Sequence, residues 1–161
     1  MTSVTGESLA PATPAAPLAP ASTASRRAVA AMTAGGCAAV LGVAKWLDPD
    51  PSGVGTHTQL HVQPCGWIAS FGIPCPTCGM TTSFAYAADG RLLKAAWTQP
   101  AGAVLAVATA MVLLASLWVA VSGASIGPLL RPFARARTGW IFAGLILAGW
   151  LWKIGTFKGF I

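Results

Sequence analysis

The chain has 161 residues, enough for about one domain, with 55% apolar residues, 9% charged residues and a formal net charge of +6. Soluble proteins carry roughly 25% charged residues, so this sequence has too little polar surface to clothe a water-soluble fold of its size. The ten basic residues are scattered and mostly flank apolar runs, with no nucleic-acid motif among them. That placement suits lipid headgroups and gives nucleic acid no footprint.

Residues 2–25 are almost entirely Ala, Pro, Thr, Ser and Leu. Such a segment buries too little apolar surface to offset its ordering entropy, and residues 1–25 are expected to form a disordered tail. The helical membrane domain is then 26–161. Its first span is expected over 28–47, where twenty residues contain a single charge, Lys45, near one end. At 1.5 Å per residue a helix of this length covers about 30 Å, the thickness of the hydrocarbon core. Ser25-Arg26-Arg27 ahead of an apolar run resembles a twin-arginine export signal, and Gly35-Gly36-Cys37 resembles a lipoprotein cleavage site. The run is longer than a usual signal core and no Ala-x-Ala site follows it, so an uncleaved helix is the preferred reading.

The second span is expected over 101–123, opened by Pro100 and free of charge. The third, over 138–157, reaches spanning length only with Lys153 counted and its ammonium snorkelling outward. Ala106 with Ala110, and Gly144 with Ala148, offer small faces where helices could meet, within the chain or between copies. Six of the seven tryptophans fall near these boundaries, where an apolar ring with one polar N–H is at home. The architecture read from the sequence is an all-α integral membrane protein with three transmembrane helices. The bilayer is its first partner, and a second copy or other membrane proteins are further candidates.

Each side of the membrane would receive five basic residues, so the count alone does not orient the chain. Arg26-Arg27 directly precede the first span and Arg131, Arg135 and Arg137 crowd a short loop, while the long loop 48–99 also holds Asp48, Asp50 and Asp89. The positive-inside rule then places the N terminus in the cytoplasm and the loop outside.

That loop concentrates the chemistry. It contains both histidines, His57 and His61, and three of the four cysteines, Cys65, Cys75 and Cys78. Three uses are open. Cys65 could bridge Cys75 or Cys78 as a structural clasp, the preferred reading. Cys75 and Cys78 form a C-x-x-C pair capable of redox cycling, with Cys78 near a helix N terminus and Cys65 as the resolving thiol. His57, His61, Cys65, Cys75 and Cys78 could together hold a metal, zinc above all, although Pro64 argues against one helix carrying the first three. Beyond the cysteines, 82–88 and 91–97 read as two short helical pieces joined by Asp89-Gly90, an interfacial or re-entrant segment. No nucleotide-binding or hydrolase motif is present, no catalytic residue is assigned, and the chain reads as non-enzymatic. The spans hold no ionisable residue besides Lys45 and Lys153, which disfavours transport.

The order Asp48-Pro49, Pro64-Cys65, Gly72-Ile73-Pro74-Cys75-Pro76-Thr77-Cys78-Gly79-Met80-Thr81, Gly90 and Gln99-Pro100 resembles the bacterial membrane proteins of domain-of-unknown-function family 2752 over roughly residues 48 to 115. The resemblance implies a bacterial multi-span protein of the inner membrane with the cysteine motif near the second span, and no established activity. Two positions depart from the family pattern. Thr82 stands where an arginine is usual, and Gln99-Pro100 where Asn-Pro is usual.

Overall fold

The computed structural model describes residues 22–125 and 136–159. The expected tail therefore lies outside the described residues apart from Ser22–Ser25, as does most of the loop carrying Arg131 and Arg135. Within the described residues the regular structure is all helical, without strands.

Helix α1, Thr23–Trp46, starts three residues before Arg26 because Ser22 caps it, its hydroxyl accepting from Ser25 N–H at 3.2 Å. A single 3₁₀ turn follows at Thr56–Leu60, and then α2, Gly66–Phe71. Helices α3, Met80–Ala88, and α4, Leu92–Thr98, form a hairpin about Asp89-Gly90. Pro100 opens α5, Pro100–Ser122, where its missing N–H has no intrahelical partner to lose. Helix α6 is Ala136–Phe157. Three helices are long and apolar enough to cross a membrane: Thr23–Trp46, Pro100–Ser122 and Thr138–Phe157. Met111, Leu114, Val121, Ile141 and Leu151 are all exposed on them. In water such faces would be costly, whereas in lipid they meet their own solvent.

Helices α1 and α5 pack antiparallel. The Arg27 Nε near the start of α1 donates to the Ala120 carbonyl near the end of α5 at 2.8 Å, and Gly123 lies against Thr23 and Arg27. The close approach of α6 to α5 occurs at Gly149, where a Cβ would lie 2.7 Å from Gln99 Oε1 and 3.0 Å from the Ala101 methyl. Of the small residues singled out in the sequence, Ala106 is buried, whereas Gly144 faces open space. The end of α1, the start of α5 and the last turns of α6 thus meet at one end of the molecule, together with the cysteine loop.

The α3–α4 hairpin packs on α1 and α5 at that end. Ser83, fully buried on α3, donates its hydroxyl to the Ala95 and Gln99 carbonyls and rests on Gly102 of α5. Lys45 pairs with Asp89 at 2.7 Å, so the end of α1 is tied to the hairpin turn through an exposed ion pair.

Candidate metal centre

The Cys75-Pro76-Thr77-Cys78-Gly79 segment forms a tight turn. Cys78 N–H donates to the Cys75 carbonyl at 3.0 Å and Met80 N–H to the Thr77 carbonyl at 3.1 Å. Gly79 takes φ of +85° to leave the turn and cap α3, a backbone conformation that a Cβ disfavours. The result is two cysteine sulfurs on the same side of the chain, 3.2 Å apart. Cys65 caps the start of α2, and the loop brings it back onto this turn. The three sulfurs lie within 4.8 Å of one another, with Cys78 buried and the other two partly covered. All four cysteines are free thiols, and Cys37 on α1 is not part of the cluster.

Three side chains hold the loop onto the helices. Trp150 of α6 donates its indole N–H to the Pro74 carbonyl at 2.8 Å, directly before Cys75, while its ring meets Trp67 of α2 edge to face. Gln99, completely buried at the start of α5, donates from Nε2 to the Pro76 carbonyl at 3.3 Å. Lys153 of α6 donates to the Gly53 carbonyl at 2.9 Å and is 4% exposed. The snorkelling expected of Lys153 therefore does not occur. Its ammonium turns inward because the loop supplies an acceptor, and its neighbour Trp152 turns to the Trp97 carbonyl instead.

Cys65 and Cys78 differ electrostatically. Burial pushes the Cys65 thiol up, but its contacts with Cys78 and with the N–H groups of Ile68 and Cys75 more than offset this and bring it down to about 7. Burial pushes the Cys78 thiol up to about 12, reinforced by its contacts with Cys65 and Cys75. The sequence suggested the opposite assignment, with Cys78 stabilised at a helix N terminus. Cys78 instead precedes the Gly79 cap and is covered from solvent, so desolvation dominates.

A cleft of about 680 Å³ opens beside the thiols. It is lined by Val40 and Val43 of α1, Leu47 just after it, Met80 and Phe84 of α3, and Cys65, Cys75, Cys78 and His57. His57 bonds through Nε2 with the Gln63 carbonyl at 3.3 Å. His61 is exposed, ends the 3₁₀ turn in a left-handed conformation at φ +58°, and does not line the cleft. No helix runs through 57–65, so the four-residue spacing of His57, His61 and Cys65 does not put them on one face. Among the described residues, the group with converging ligand atoms is Cys65, Cys75 and Cys78.

Residues 65–113 match the family model described as "Protein of unknown function (DUF2752)". The DUF2752 match begins at Cys65 and runs through the Cys75–Gly79 turn and the α3–α4 hairpin into α5, so all three thiols fall inside it. No curated protein and no solved structure matches the chain. Thr82 and Gln99 both lie in the buried layer under the turn. Thr82 shares a 2.8 Å hydroxyl contact with Thr56, which in turn accepts from Asp50 N–H at 3.0 Å, and Gln99 holds Pro76. Sequence reasoning named the thiols but missed Gln99, Trp150 and Lys153 as their supports. A lysine, a glutamine and a tryptophan at span ends read equally well as interface residues.

Proposed function

We propose that this chain is a membrane protein that holds one thiophilic metal ion, zinc being the leading case, on Cys65, Cys75 and Cys78. The observation that carries this reading is the convergence of three sulfurs within 4.8 Å. Zinc bound to thiolates at about 2.3 Å sets neighbouring sulfurs about 3.8 Å apart in a tetrahedron. The Cys75–Cys78 separation of 3.2 Å and the 4.8 Å limit bracket that value, so shifts of several tenths of an ångström to about an ångström admit the ion. The cleft gives the fourth coordination position an approach from outside, and His57 on its wall is the candidate fourth ligand once released from Gln63. The resemblance to family 2752 supports a bacterial inner membrane, and the charge pattern of the sequence supports an N terminus in the cytoplasm with the thiols outside.

The test is elemental analysis of the full chain purified in detergent. About one zinc per chain is expected, falling to background in Cys75→Ser and Cys78→Ser. Absence of stoichiometric metal from the wild type, before and after zinc is supplied, removes the reading. An impermeant thiol reagent applied to intact cells reports the side on which the cysteines lie.

A second reading, thiol–disulfide exchange, is favoured by the pairing of an accessible Cys65, lowered to about 7, with partner thiols in contact. The Cys65 thiolate would attack a substrate disulfide and release one substrate thiolate. Cys75 or Cys78 would then attack the mixed disulfide, leaving a protein disulfide and a reduced substrate, and a partner dithiol would restore the reduced protein. A Cys75→Ser/Cys78→Ser double variant should then accumulate a mixed disulfide at Cys65. The same Cys65–Cys75 or Cys65–Cys78 bridge, once formed and never reduced, would be the structural clasp.

A further inference from the structure

Lys153 is the one lysine in the buried interior of the described residues, and it has no carboxylate beside it. The ion pair found among those residues is Lys45–Asp89, at the end of α1. An ammonium has three protons to donate, and Lys153 spends one of them on the Gly53 carbonyl at 2.9 Å. Burying a cation without a counter-ion is among the most costly arrangements a protein can hold.

The loop is shaped around this ammonium. A Cβ on Gly53 would lie 2.7 Å from Lys153 Nζ, and one on Gly79 would lie 3.3 Å from Nζ and 3.1 Å from Cε. Both glycines adopt positive φ, +72° and +85°. Gly79 directly follows Cys78, so the Lys153 ammonium rests on the turn that presents the sulfurs. Three thiolates and one ammonium sum to a charge of −2, which a divalent ion cancels.

Resting on the metal reading above, we propose that Lys153 is the built-in counter-charge of the thiolate centre. Three thiolates around a divalent ion leave a complex of charge −1, and around a monovalent ion a complex of charge −2. Whatever charge the empty site carries, the two complexes differ by one unit, so removal of the ammonium must weaken a monovalent ion relative to a divalent one.

The experiment measures Cd²⁺ and Ag⁺ binding to the full detergent-solubilised chain by competition against chelators of known affinity. Lys153→Gln keeps a donor for the Gly53 carbonyl while removing the charge, Lys153→Met removes both, and Lys153→Arg keeps the charge. In Lys153→Gln, the affinity for Ag⁺ is expected to fall about tenfold relative to that for Cd²⁺, the effect of one unit of charge. Lys153→Arg should restore the wild-type ratio of the two affinities. Equal weakening of both ions in Lys153→Gln or Lys153→Met overturns the proposal, because a packing or positioning role does not sense the charge of the ion. If Lys153→Gln does not fold, the ratio in Lys153→Met decides by the same criterion. A wild type that binds neither ion defeats the metal reading itself, a result distinct from an unchanged ratio in a metal-binding variant.

Discussion

Gln99 Nε2 donates to the Pro76 carbonyl at 3.3 Å, so a side chain at the start of a spanning helix holds the residue between the two motif cysteines. The amide is completely buried, and its Oε1 has no hydrogen-bond partner. That oxygen faces Gly149 of α6, where the lack of a side chain lets α6 approach α5. Gln99 is therefore the place at which the thiol turn, α5 and α6 are fixed relative to one another.

Gln99→Ala should loosen that junction. Losing a buried hydrogen bond costs roughly 1–3 kcal/mol when the acceptor is left unsatisfied, and the space left by the amide adds to it. Thermal unfolding in detergent is expected to shift down by several degrees. Weaker metal retention should accompany it, because the Pro76 carbonyl loses its anchor.

Gly79→Ala tests the turn directly. A Cβ there would sit 2.7 Å from the Gly53 carbonyl oxygen and force the backbone out of φ +85°. Strain of this kind costs about 1–3 kcal/mol. The variant should show lower expression and a lower melting temperature. Gly144→Ala, at a position with nothing within 4 Å, should be close to neutral by the same measurement.

The thiols should separate by reactivity with pH. In metal-free protein, Cys65 titrates from thiol to thiolate near pH 7, below the ordinary value of 9.0, while Cys78 stays protonated until about 12. Alkylation followed by peptide mass analysis should label Cys65 with a rate that climbs through pH 7 and levels off above it. Cys78 should remain unlabelled at pH 8, and preferential labelling of Cys78 there would contradict the assignment.

Trp150→Phe keeps an aromatic ring against Trp67, though a smaller one, and removes the N–H that bonds Pro74. A loss of about 0.5–1.5 kcal/mol is expected. Asp89→Asn, which breaks the exposed pair with Lys45, should change stability by less than about 1 kcal/mol, because solvent screens such pairs. Chemical or thermal unfolding of the two variants side by side should rank Trp150 above Asp89.

The three spanning helices were legible in the sequence because run length and charge exclusion act locally: lipid demands about twenty apolar residues wherever the chain crosses. The hairpin about Asp89-Gly90 was legible from its turn pair, and the cysteines from their clustering. The histidines' place beside the thiols was not legible from spacing. His57 and His61 align with Cys65 only on a continuous helix, and the left-handed residue His61 and Pro64 break it.

By itself the sequence determined how many helices can cross a bilayer and which thiols lie between the first two, since both depend on residues near one another in the chain. Only the tertiary structure decided what those thiols face. Gln99 and Trp150 bind loop carbonyls from 23 and 76 residues away, and Lys153 reaches Gly53 across 100. A buried polar side chain takes the partner that packing brings to it, and in this chain helix packing turned Lys153 from the interface toward the Gly53 carbonyl.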